Sequence, residues 1–472
     1  MDERAKIPVT LPRDSPTVSY WQDPPDATIS DLRSTPTLPS STDVVIIGSG
    51  ITGAGVAWNL LQANPNLGVV MLEARQACSG ATGRNGGHTK AASYRSFLDH
   101  ASQLGTAAAV QIAKLELANI QAVHAFAKEH NIDCDLNECD TIDVIYDPAQ
   151  WVQAHEAVSA LRAALPEGDP VARYTFYTPE QVAERFYCHD YENKDGEKLC
   201  GGVQYFAGSL SAYKFGIGVL KLCLQLGLNL QTNTAATAAL LKDGDGWVVQ
   251  TPRGSITAKK VVLATNGYTA RLLPEMFQGV IVPLRGQIQA HRPGSGMPEK
   301  GCLPTTYSFI YPQGYEYMIP RPKGSKFEGD IVMGGGLVRA PDDGLLEYGT
   351  TDDTSINKVI SEYLRDSTLR YFGRDWGEDH LEGRVRRQWT GVMGFSPDGF
   401  PFVGEVPDHK GLWVSASFQG HGMVLCWMCA RALVAMMGDR DGEELTSWFP
   451  DIFRVNKERM GKRFEGRLHT AA

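Results

Sequence analysis

Residues 48–53 read Gly-Ser-Gly-Ile-Thr-Gly, and they follow directly on an apolar, β-branched run at residues 44–47. A short apolar run bounded by glycine is typical of a strand buried on both faces of a parallel sheet. Small residues after the turn predict a helix from about residue 50 to residue 62, and a second apolar run at 69–72 ends at Glu73. The sequence therefore predicts a strand–turn–helix–strand unit that begins at residue 43.

Each glycine of this turn has its own predicted role. Gly48 permits the tight turn, Gly50 lets a pyrophosphate approach the backbone, and Gly53 lets the helix pack close to the strand. The helix N-terminus offers free N–H groups and partial positive charge to phosphates. Glu73, about 20 residues beyond Gly53, would accept both ribose hydroxyls and repel a 2′-phosphate. The pattern predicts FAD or NAD rather than NADP, and the alternative is a glycine turn that binds nothing.

A second glycine-rich loop, residues 79–88, comes soon after the acidic residue. Its four glycines would let the backbone lie flat against a large planar ligand, and Arg84 would meet a pyrophosphate or a negatively charged flavin ring. This arrangement favours FAD over NAD, and the alternative is a mobile surface loop. The chain carries 49 glycines in 472 residues, more than the roughly 7% of an average protein, and these two loops hold several of them.

Several segments together resemble the D-amino-acid-oxidase-like superfamily of FAD-dependent oxidoreductases. Residues 81–88 (ATGRNGGH) are most similar to the branch that contains glycine oxidase, sarcosine oxidase and gamma-glutamylputrescine oxidase. Later segments agree in the family's order, namely residues 261–267, 283–287, 391–404 and 420–423. The resemblance runs from about residue 43 to residue 438, which is most of the chain.

The resemblance implies a mixed α/β fold (α+β in part), with a Rossmann-like FAD-binding domain and a discontinuous substrate domain built on a largely antiparallel sheet. The expected FAD-binding segments are 43–100, 200–280 and 385–440, and the expected substrate-domain segments are 101–199 and 281–384. Segments 280–291, 315–320 and 330–339 alternate apolar and polar residues, as antiparallel strands do. Residues 1–42 are predicted as a proline-rich arm, either docked through Tyr20 and Trp21 or disordered, and residues 441–472 as a C-terminal tail.

The resemblance also implies which residues contact FAD. The expected contacts lie in the two glycine-rich loops, at the ribose acid, on a returning strand and before the last helix. They are Gly48, Ser49, Gly50, Ile51, Thr52, Gly53, Glu73, Ala74, Arg75, Gly83, Arg84, Asn85, Gly86, Gly87, His88, Ala236, Ala264, Thr265, Gly267, Gly420, Gly422 and Met423. The N–H groups of Gly422 and Met423 are expected near the flavin's pyrimidine edge, where a helix N-terminus stabilises negative charge.

The sequence departs from the pattern of relatives that bind their flavin covalently. Sarcosine-oxidase-like members use a cysteine shortly before a Ser/Thr-Pro-Asp element, and this chain has Gly391 at that place, before residues 396–398. Some relatives use a histidine near the second loop, and His88 appears shifted from that position. We therefore predict noncovalent FAD, with attachment through His88 as the alternative.

The family's reaction moves a hydride from a carbon that bears nitrogen to flavin N5, and it asks little of side chains. The predicted substrate is a small amine or amino acid, the imine product hydrolyses, and O₂ or another acceptor reoxidises the flavin. His421 is the first candidate for a residue beside the flavin ring, and the alternative is a helix-capping histidine. Arg285 is the first candidate to hold a substrate carboxylate. Weaker candidates for the pocket are Arg321, Arg339, Arg387, Tyr311, Tyr315 and Tyr317.

Other functions stay open at this stage. They are another flavoprotein type, an FAD-dependent oxidoreductase of secondary metabolism acting on a non-amine substrate, and a flavoprotein without turnover. A second GxGxxG for NAD(P)H is absent from the sequence, which disfavours a pyridine-nucleotide reductase. Cys426 and Cys429 lie inside an apolar helix predicted from about 422 to 437, so we predict packing cysteines rather than a redox pair or a metal site.

Composition narrows the setting. The formal net charge is −9, and no basic stretch suggests nucleic-acid binding. Residues 1–4 lack the apolar run of a secretory signal, and the last residues are not a Ser-Lys-Leu peroxisomal address. No segment is long and apolar enough for a membrane span. These features predict a cytoplasmic enzyme that binds neither nucleic acid nor membrane.

Overall fold

The computed structural model describes residues 1–188, 196–241, 246–298, 303–312 and 314–467. Within these residues the strands form two eight-stranded sheets, A and B, and helices cover them. The strands of sheet A are β1 (Ser41–Ile47), β2 (Val69–Leu72), β6 (Asn229–Gln231), β7 (Ala238–Leu241), β8 (Trp247–Thr251), β9 (Gly254–Leu263), β15 (Phe402–Glu405) and β16 (Leu412–Ala416). The strands of sheet B are β3 (Asn137–Ile145), β4 (Tyr174–Tyr177), β5 (Gly201–Ser209), β10 (Val282–His291), β11 (Thr306–Tyr311), β12 (Gly314–Pro320), β13 (Ile331–Gly334) and β14 (Val385–Phe395).

Helices connect the strands and cover the sheets. They are α1 (Asp2–Ala5), α2 (Ile51–Ala63), α3 (Ser93–Leu104), α4 (Thr106–Glu129), α5 (Pro148–Ala164), α6 (Pro179–Phe186), α7 (Ala212–Gln225), α8 (Pro274–Phe277), α9 (Pro341–Gly344), α10 (Lys358–Phe372), α11 (Cys426–Met437), α12 (Glu443–Thr446) and α13 (Lys457–Gly461). Residues of α2, α4, α7 and α11 share one apolar core against sheet A. None of the helices in the described residues is long and apolar enough to cross a lipid bilayer.

Sheet A has the strand order of a nucleotide-binding domain at its centre. Strands β6, β2, β1, β9 and β16 pair in parallel, and β15 adds an antiparallel edge to β16. Strand β1 is buried on both faces, because Val44 and Ile46 enter the core under the helices while Val45 and Ile47 enter the core on the opposite face. The strand buried on both faces that the apolar run predicted is therefore present.

Sheet B is largely antiparallel. Its order is β14-β10-β13-β12-β11-β3-β5-β4, and only the pair β11–β3 is parallel among the described strands. Strand β10 pairs with β14 along nearly its whole length, from Val282 opposite Phe395 to His291 opposite Val385. The mixed α/β fold class, with one Rossmann-like sheet and one largely antiparallel sheet, is confirmed.

Two strands from the segments that were expected in the FAD-binding domain belong to sheet B instead of sheet A. Strand β5 falls inside the predicted FAD-binding segment 200–280, yet it pairs with β3 and β4 in sheet B. Strand β14 falls inside the predicted segment 385–440, yet it pairs with β10. Strand partners are chosen by long-range packing, which local patterns do not report. The remaining segment boundaries stay a prediction.

Two local predictions were also too long. The strand predicted at 330–339 ends at Gly334, because Gly335 and Gly336 adopt φ values of +139° and +70°, which an extended strand does not contain. The helix predicted from about residue 422 starts as a single 3₁₀ turn, Gly422–Val424, and becomes α-helical at Cys426.

The N-terminal arm is docked on the body of the protein. The Tyr20 ring stacks on Trp389 with centroids 5.9 Å apart, and its hydroxyl donates to Asp330 over 3.1 Å. The Trp21 indole N–H donates to the carbonyl of Asn85 over 2.5 Å. The arm therefore fastens onto the second glycine-rich loop, which is the docked alternative of the two predicted states.

The C-terminal tail is also packed against the protein over its described part. The guanidinium of Arg459, on α13, is buried and forms a bidentate pair with Asp398 at 2.8 and 2.9 Å. Phe464 is buried beside Tyr348. Residues 468–472 of the predicted tail lie outside the described residues.

Candidate functional site

A cavity of about 350 Å³ lies between the two sheets. On one side it is lined by the residues that follow β1, β2 and β9, at the carboxyl ends of the parallel strands of sheet A. On the other side it is lined by residues of β10, β12 and β14 in sheet B. The carboxyl ends of parallel strands are where open α/β sheets bind their ligands.

The first glycine turn is built by close backbone contacts. Gly48 has a φ of +107°, and a Cβ on it would lie 2.5 Å from the carbonyl oxygen of Ala264. A Cβ on Gly53 would lie 2.0 Å from the carbonyl oxygen of Gly48. These two glycines thus fix how closely α2 and β9 approach the turn. A Cβ on Gly50 would meet only the Thr82 hydroxyl, at 2.8 Å.

The carboxylate of Glu73 is held at the end of β2. Its Oε2 accepts hydrogen bonds from the backbone N–H and the hydroxyl of Ser49, at 3.1 and 2.6 Å. Its Oε1 accepts from the backbone N–H of Arg75 at 3.0 Å. These bonds orient the carboxylate beside the turn, where the ribose-binding acid of a dinucleotide site belongs.

Backbone N–H groups without a protein acceptor line the cavity at two places. Gly50 and Thr52, at the start of α2, donate to no acceptor within the described residues, and the same is true of Gly422 and Met423 before α11. Unpaired N–H groups at a helix start bind anions. Together with the oriented Glu73 carboxylate, these donors fit the phosphates, the ribose and the electron-poor ring of FAD.

The second glycine-rich loop is held by its own side chains and by the arm. Asn85 donates to the carbonyls of Ala81 and Thr82 and accepts from the N–H of Gly87 at 2.7 Å. The buried guanidinium of Arg84 donates to the carbonyl of Thr390 and to Thr17. Arg84 therefore joins the loop to β14 and the arm, and burial lowers its pKa to about 10.

Most of the predicted FAD contacts line the cavity. They are Gly48, Ser49, Gly50, Ile51, Thr52, Glu73, Ala74, Arg75, Arg84, Asn85, Gly86, Gly87, His88, Ala236, Ala264, Thr265, Gly420, Gly422 and Met423. Gly53, Gly83 and Gly267 lie outside the lining, and each packs against a backbone carbonyl within 2.4 Å of its potential Cβ. The contacts of all these residues with the cofactor stay a prediction.

His88 is partly buried, and its Nε2 is 2.7 Å from the hydroxyl of Thr306. Burial lowers the pKa of His88 well below its usual range, so the ring is neutral. Gly391 also lines the cavity, and a Cβ on it would lie 3.0 Å from the Cβ of Arg84.

His421 lines the cavity and directly precedes the 3₁₀ turn that leads into α11. Its place beside the flavin ring stays a prediction. Its Nε2 is 3.0 Å from the carbonyl oxygen of Ala91, so Nε2 carries the proton and donates it. Burial lowers the pKa of His421 to about 4, and the ring is therefore neutral at pH 7. Glu116 lies 3.6 Å from the same nitrogen, accepts from the Ser93 hydroxyl, and has its pKa raised to about 8 by burial.

Replacement of Glu116 by glutamine is expected to stabilise the protein in a pH-dependent way. The folded state holds a proton on Glu116 up to about pH 8, whereas the unfolded chain releases it near pH 4.5, so wild-type stability falls as the pH rises between these values. Glutamine has nearly the same shape as protonated glutamate and does not ionise, so the variant avoids this loss of stability. Melting temperatures measured from pH 5 to pH 9 should show a gain that grows up to about pH 8 and then levels off.

The matched control for this prediction is Glu129→Gln, at the exposed end of the same helix α4. It should shift the melting temperature by a similar small amount at every pH. A gain for Glu116→Gln that shrinks with rising pH would show that Glu116 is ionised in the folded protein.

Arg285 lines the cavity, but its charge is already paired. Its Nε donates to Glu347 over 2.6 Å, and its Nη1 donates to the hydroxyl of Ser355 and the carbonyl of Asp352. Arg321, Arg339 and Arg387 do not line the cavity. The role of Arg285 in holding a substrate carboxylate stays a prediction, and its contacts favour a structural link between β10 and residues 347–355.

The three candidate tyrosines all line the cavity. Tyr317 packs between two glycines, since a Cβ on Gly86 or Gly334 would lie 2.4 Å from its ring or hydroxyl. The Tyr311 hydroxyl donates to the buried Glu316 over 2.5 Å. Tyr317 therefore joins sheet B to the second glycine-rich loop.

The sequence analysis missed a buried charged group at this site. Lys90 lines the cavity, and its Nζ donates to Asp143 over 2.7 Å and to the hydroxyl of Ser308 over 2.5 Å. Asp143 also accepts from the hydroxyls of Tyr94 and Tyr205, at 2.8 and 2.9 Å. The only local signal was a lysine two residues after His88, because its carboxylate partner lies on β3.

Cys426 and Cys429 are both buried, and burial raises the pKa of Cys426 to about 12 and that of Cys429 well above its usual range. Such thiols stay protonated and serve as apolar packing residues. Within the described ranges, no three histidine, cysteine, aspartate or glutamate side chains are close enough together to hold a metal ion.

A family model described as FAD dependent oxidoreductase, DAO, matches residues 43–436. A protein of Rhizobium meliloti named probable oxidoreductase OrdL is 26% identical over 425 residues, which cover 88% of this chain and 87% of that protein. A glycine oxidase of Pseudomonas aeruginosa is 28% identical over 225 residues, which cover 47% of this chain and 54% of that protein.

The fold is similar to that of solved flavoenzymes. The crystal structure of glycine oxidase from Geobacillus kaustophilus superposes with a TM-score of 0.67 at 19% identity, over 89% of this chain and 99% of that chain. At this level of identity the likeness concerns the fold.

Proposed function

The chain belongs to the DAO family of FAD-dependent oxidoreductases, and on this basis we propose that it oxidises a C–N bond of a small amine or amino acid. The family, the enzyme class and the FAD cofactor that the sequence predicted are confirmed. The proposal adds the reaction, in which the carbon bearing nitrogen loses a hydride and the nitrogen loses a proton. The resulting imine hydrolyses, and O₂ or another acceptor takes up the electrons.

The observation that carries the proposal is the shared cavity between the dinucleotide turn of sheet A and the tyrosines of sheet B. Within the described lining, no serine or cysteine is hydrogen-bonded to a histidine. This favours redox chemistry carried by a cofactor over covalent catalysis by the protein. Relatives in the family carry the name glycine oxidase, which supports an amino compound as substrate.

When bound, FAD supplies the hydride acceptor at its N5 atom. The protein's own groups would then position the substrate and influence the charge of the flavin. The N–H groups of Gly422 and Met423 favour negative charge at their end of the cavity. Tyr317 and residues of β10 and β14 line the sheet B side of the cavity, where they would limit the access of water to a bound flavin.

We also propose that FAD is held without a covalent bond. Gly391 offers no thiol, and the Nε2 of His88 is engaged with Thr306. Acid precipitation of the purified protein should release all yellow colour into the supernatant. Flavin fluorescence that stays with the polypeptide on a denaturing gel would contradict this, and His88→Ala would then identify the attachment point.

The reaction is tested by mixing the yellow holoenzyme anaerobically with a panel of amines, amino acids, alcohols and hydroxy acids. Bleaching of the visible flavin band by an amine or amino acid, with ammonia or a shortened amine as product, is the expected result. Bleaching only by alcohols or hydroxy acids would replace the proposal with oxidation of a non-amine substrate. A holoenzyme that binds panel members but is bleached by none would point to a flavoprotein without turnover. Admission of air, with hydrogen peroxide measured, then shows whether O₂ is the acceptor.

A further inference from the structure

A second cavity of about 240 Å³ adjoins the cofactor cavity. Gly314, Tyr315 and Arg467 line both, so the two spaces meet at the start of β12. The outer cavity is also lined by Tyr94 and Arg95 of α3 and by Gln150 of α5. The reaction proposed above does not use it.

Two arginines, Arg95 and Arg467, line the outer cavity, and neither forms an ion pair within the described residues. The guanidinium of Arg95 makes no hydrogen bond and no ion pair within the described residues, and its Nη1 is buried without a partner. Arg467 likewise has no hydrogen bond or ion pair in that part of the chain. Both guanidinium groups approach the same ring, that of Tyr315, at 5.0 Å for Arg95 and 5.9 Å for Arg467.

The carboxylate that lines the outer cavity does not balance this charge. Asp147 accepts from the backbone N–H of Ala149 at 2.9 Å and from the Gln150 amide at 3.0 Å, and it caps the N-terminus of α5. It lies in no ion pair with Arg95 or Arg467 in the described chain. A buried guanidinium N–H without an acceptor is costly, and an anion in the outer cavity would supply the acceptor that Nη1 of Arg95 lacks within the described residues.

The wall that carries Arg95 is rigid. Its neighbour Tyr94 is 2% exposed and donates its hydroxyl to Asp143, which also receives Lys90 from the cofactor cavity. The backbone that carries Arg95 is therefore anchored through Tyr94, and a planar guanidinium binds a carboxylate with two parallel hydrogen bonds.

Building on the proposed function, we propose that the outer cavity is a carboxylate-binding subsite formed by Arg95 and Arg467. The substrate is then an amine that carries an acidic group remote from the carbon that is oxidised. The amine end reaches past Tyr315 into the cofactor cavity while the acidic end stays with the two arginines.

The first test measures binding without turnover. Glutarate, a dicarboxylate with no amine, is titrated into the holoenzyme and followed by calorimetry. We expect binding that Arg95→Gln weakens about tenfold or more, and that Arg95→Lys weakens less. Arg365→Gln removes an exposed arginine on α10 and should bind glutarate as the wild type does. FAD content and melting temperature, measured for each variant, show that the fold is intact.

The second test compares amines of matched length, the ω-amino acids from 3-aminopropanoate to 6-aminohexanoate against the corresponding n-alkylamines. The wild type should favour the acids in kcat/KM, and Arg95→Gln should remove that preference, measured as the ratio of kcat/KM for each acid to kcat/KM for the alkylamine of the same length. Two results would overturn the subsite and leave amine oxidation standing. One is that glutarate does not bind. The other is that Arg95→Gln changes neither glutarate binding nor the preference for the acids. Flavin reduction by no amine at all would overturn the proposed function, and the glutarate titration would still decide the subsite.

Discussion

Gly53→Ala is expected to yield a protein that does not retain FAD. The new Cβ would lie 2.0 Å from the carbonyl oxygen of Gly48, a distance at which backbone must move. Gly48 has no room to retreat, because Ala264 lies against its other side. Since the turn is predicted to present its N–H groups to the pyrophosphate, a displaced turn should raise the Kd for FAD at least about 100-fold.

The measurement is the flavin-to-protein absorbance ratio after gel filtration, followed by titration of the apoprotein with FAD. Gly442→Ala is the matched control, since nothing lies within 4 Å of its potential Cβ and its φ of −109° suits alanine. A Gly53→Ala protein that purifies yellow with wild-type affinity would show that α2 shifts without disturbing the turn.

Asp143→Leu is expected to destabilise the protein more than any surface substitution. Asp143 has no exposed surface, and it accepts hydrogen bonds from Lys90, Tyr94 and Tyr205. Removing the carboxylate leaves a buried ammonium with only the Ser308 hydroxyl and leaves two buried hydroxyls without their acceptor. Breaking a buried ion pair in this way costs about 3–5 kcal/mol.

Chemical unfolding of the holoenzyme, followed by circular dichroism, gives the change in free energy. The double variant Lys90→Met with Asp143→Leu should recover much of the loss, because it removes the unpaired charge. Asp133→Leu, at a side chain that is 91% exposed, is the control and should change stability little. Equal destabilisation of the single and double variants would show that packing of the two tyrosines, not the charge, is what Asp143 provides.

The nucleotide-binding unit was predictable because its determinants are close together in sequence. The predicted strand 43–47 and helix 50–62 are observed as Ser41–Ile47 and Ile51–Ala63, and the second strand is observed at Val69–Leu72 as predicted. An apolar strand, the start of a helix and the glycines of a turn are each determined by a few neighbouring residues. They can therefore be recognised in a single sequence. The family resemblance indicated FAD as the cofactor, and most of the residues expected to contact FAD line one cavity.

The sheet that receives each strand was not predictable from the same patterns. Strand β5 resembles any buried strand, and its place beside β3 follows from a register that runs from Asn137–Ser209 to Ile145–Gly201. The docked arm is a similar case, since Tyr20 finds Trp389 and Asp330 more than 300 residues away. Such pairings depend on shape and burial across the whole fold.

By itself the sequence determined the strand–turn–helix that binds a dinucleotide, the preference for FAD and the family of the enzyme. Only the tertiary structure decided which charges in the cavity are free. Arg285, the arginine chosen from sequence, is paired with Glu347, whereas the guanidinium of Arg95, in the adjoining outer cavity, has no hydrogen-bond or ion-pair partner in the described chain. The reason is physical: a glycine turn is fixed by neighbouring residues, but the charge that a side chain offers a ligand depends on which distant group the fold brings to it.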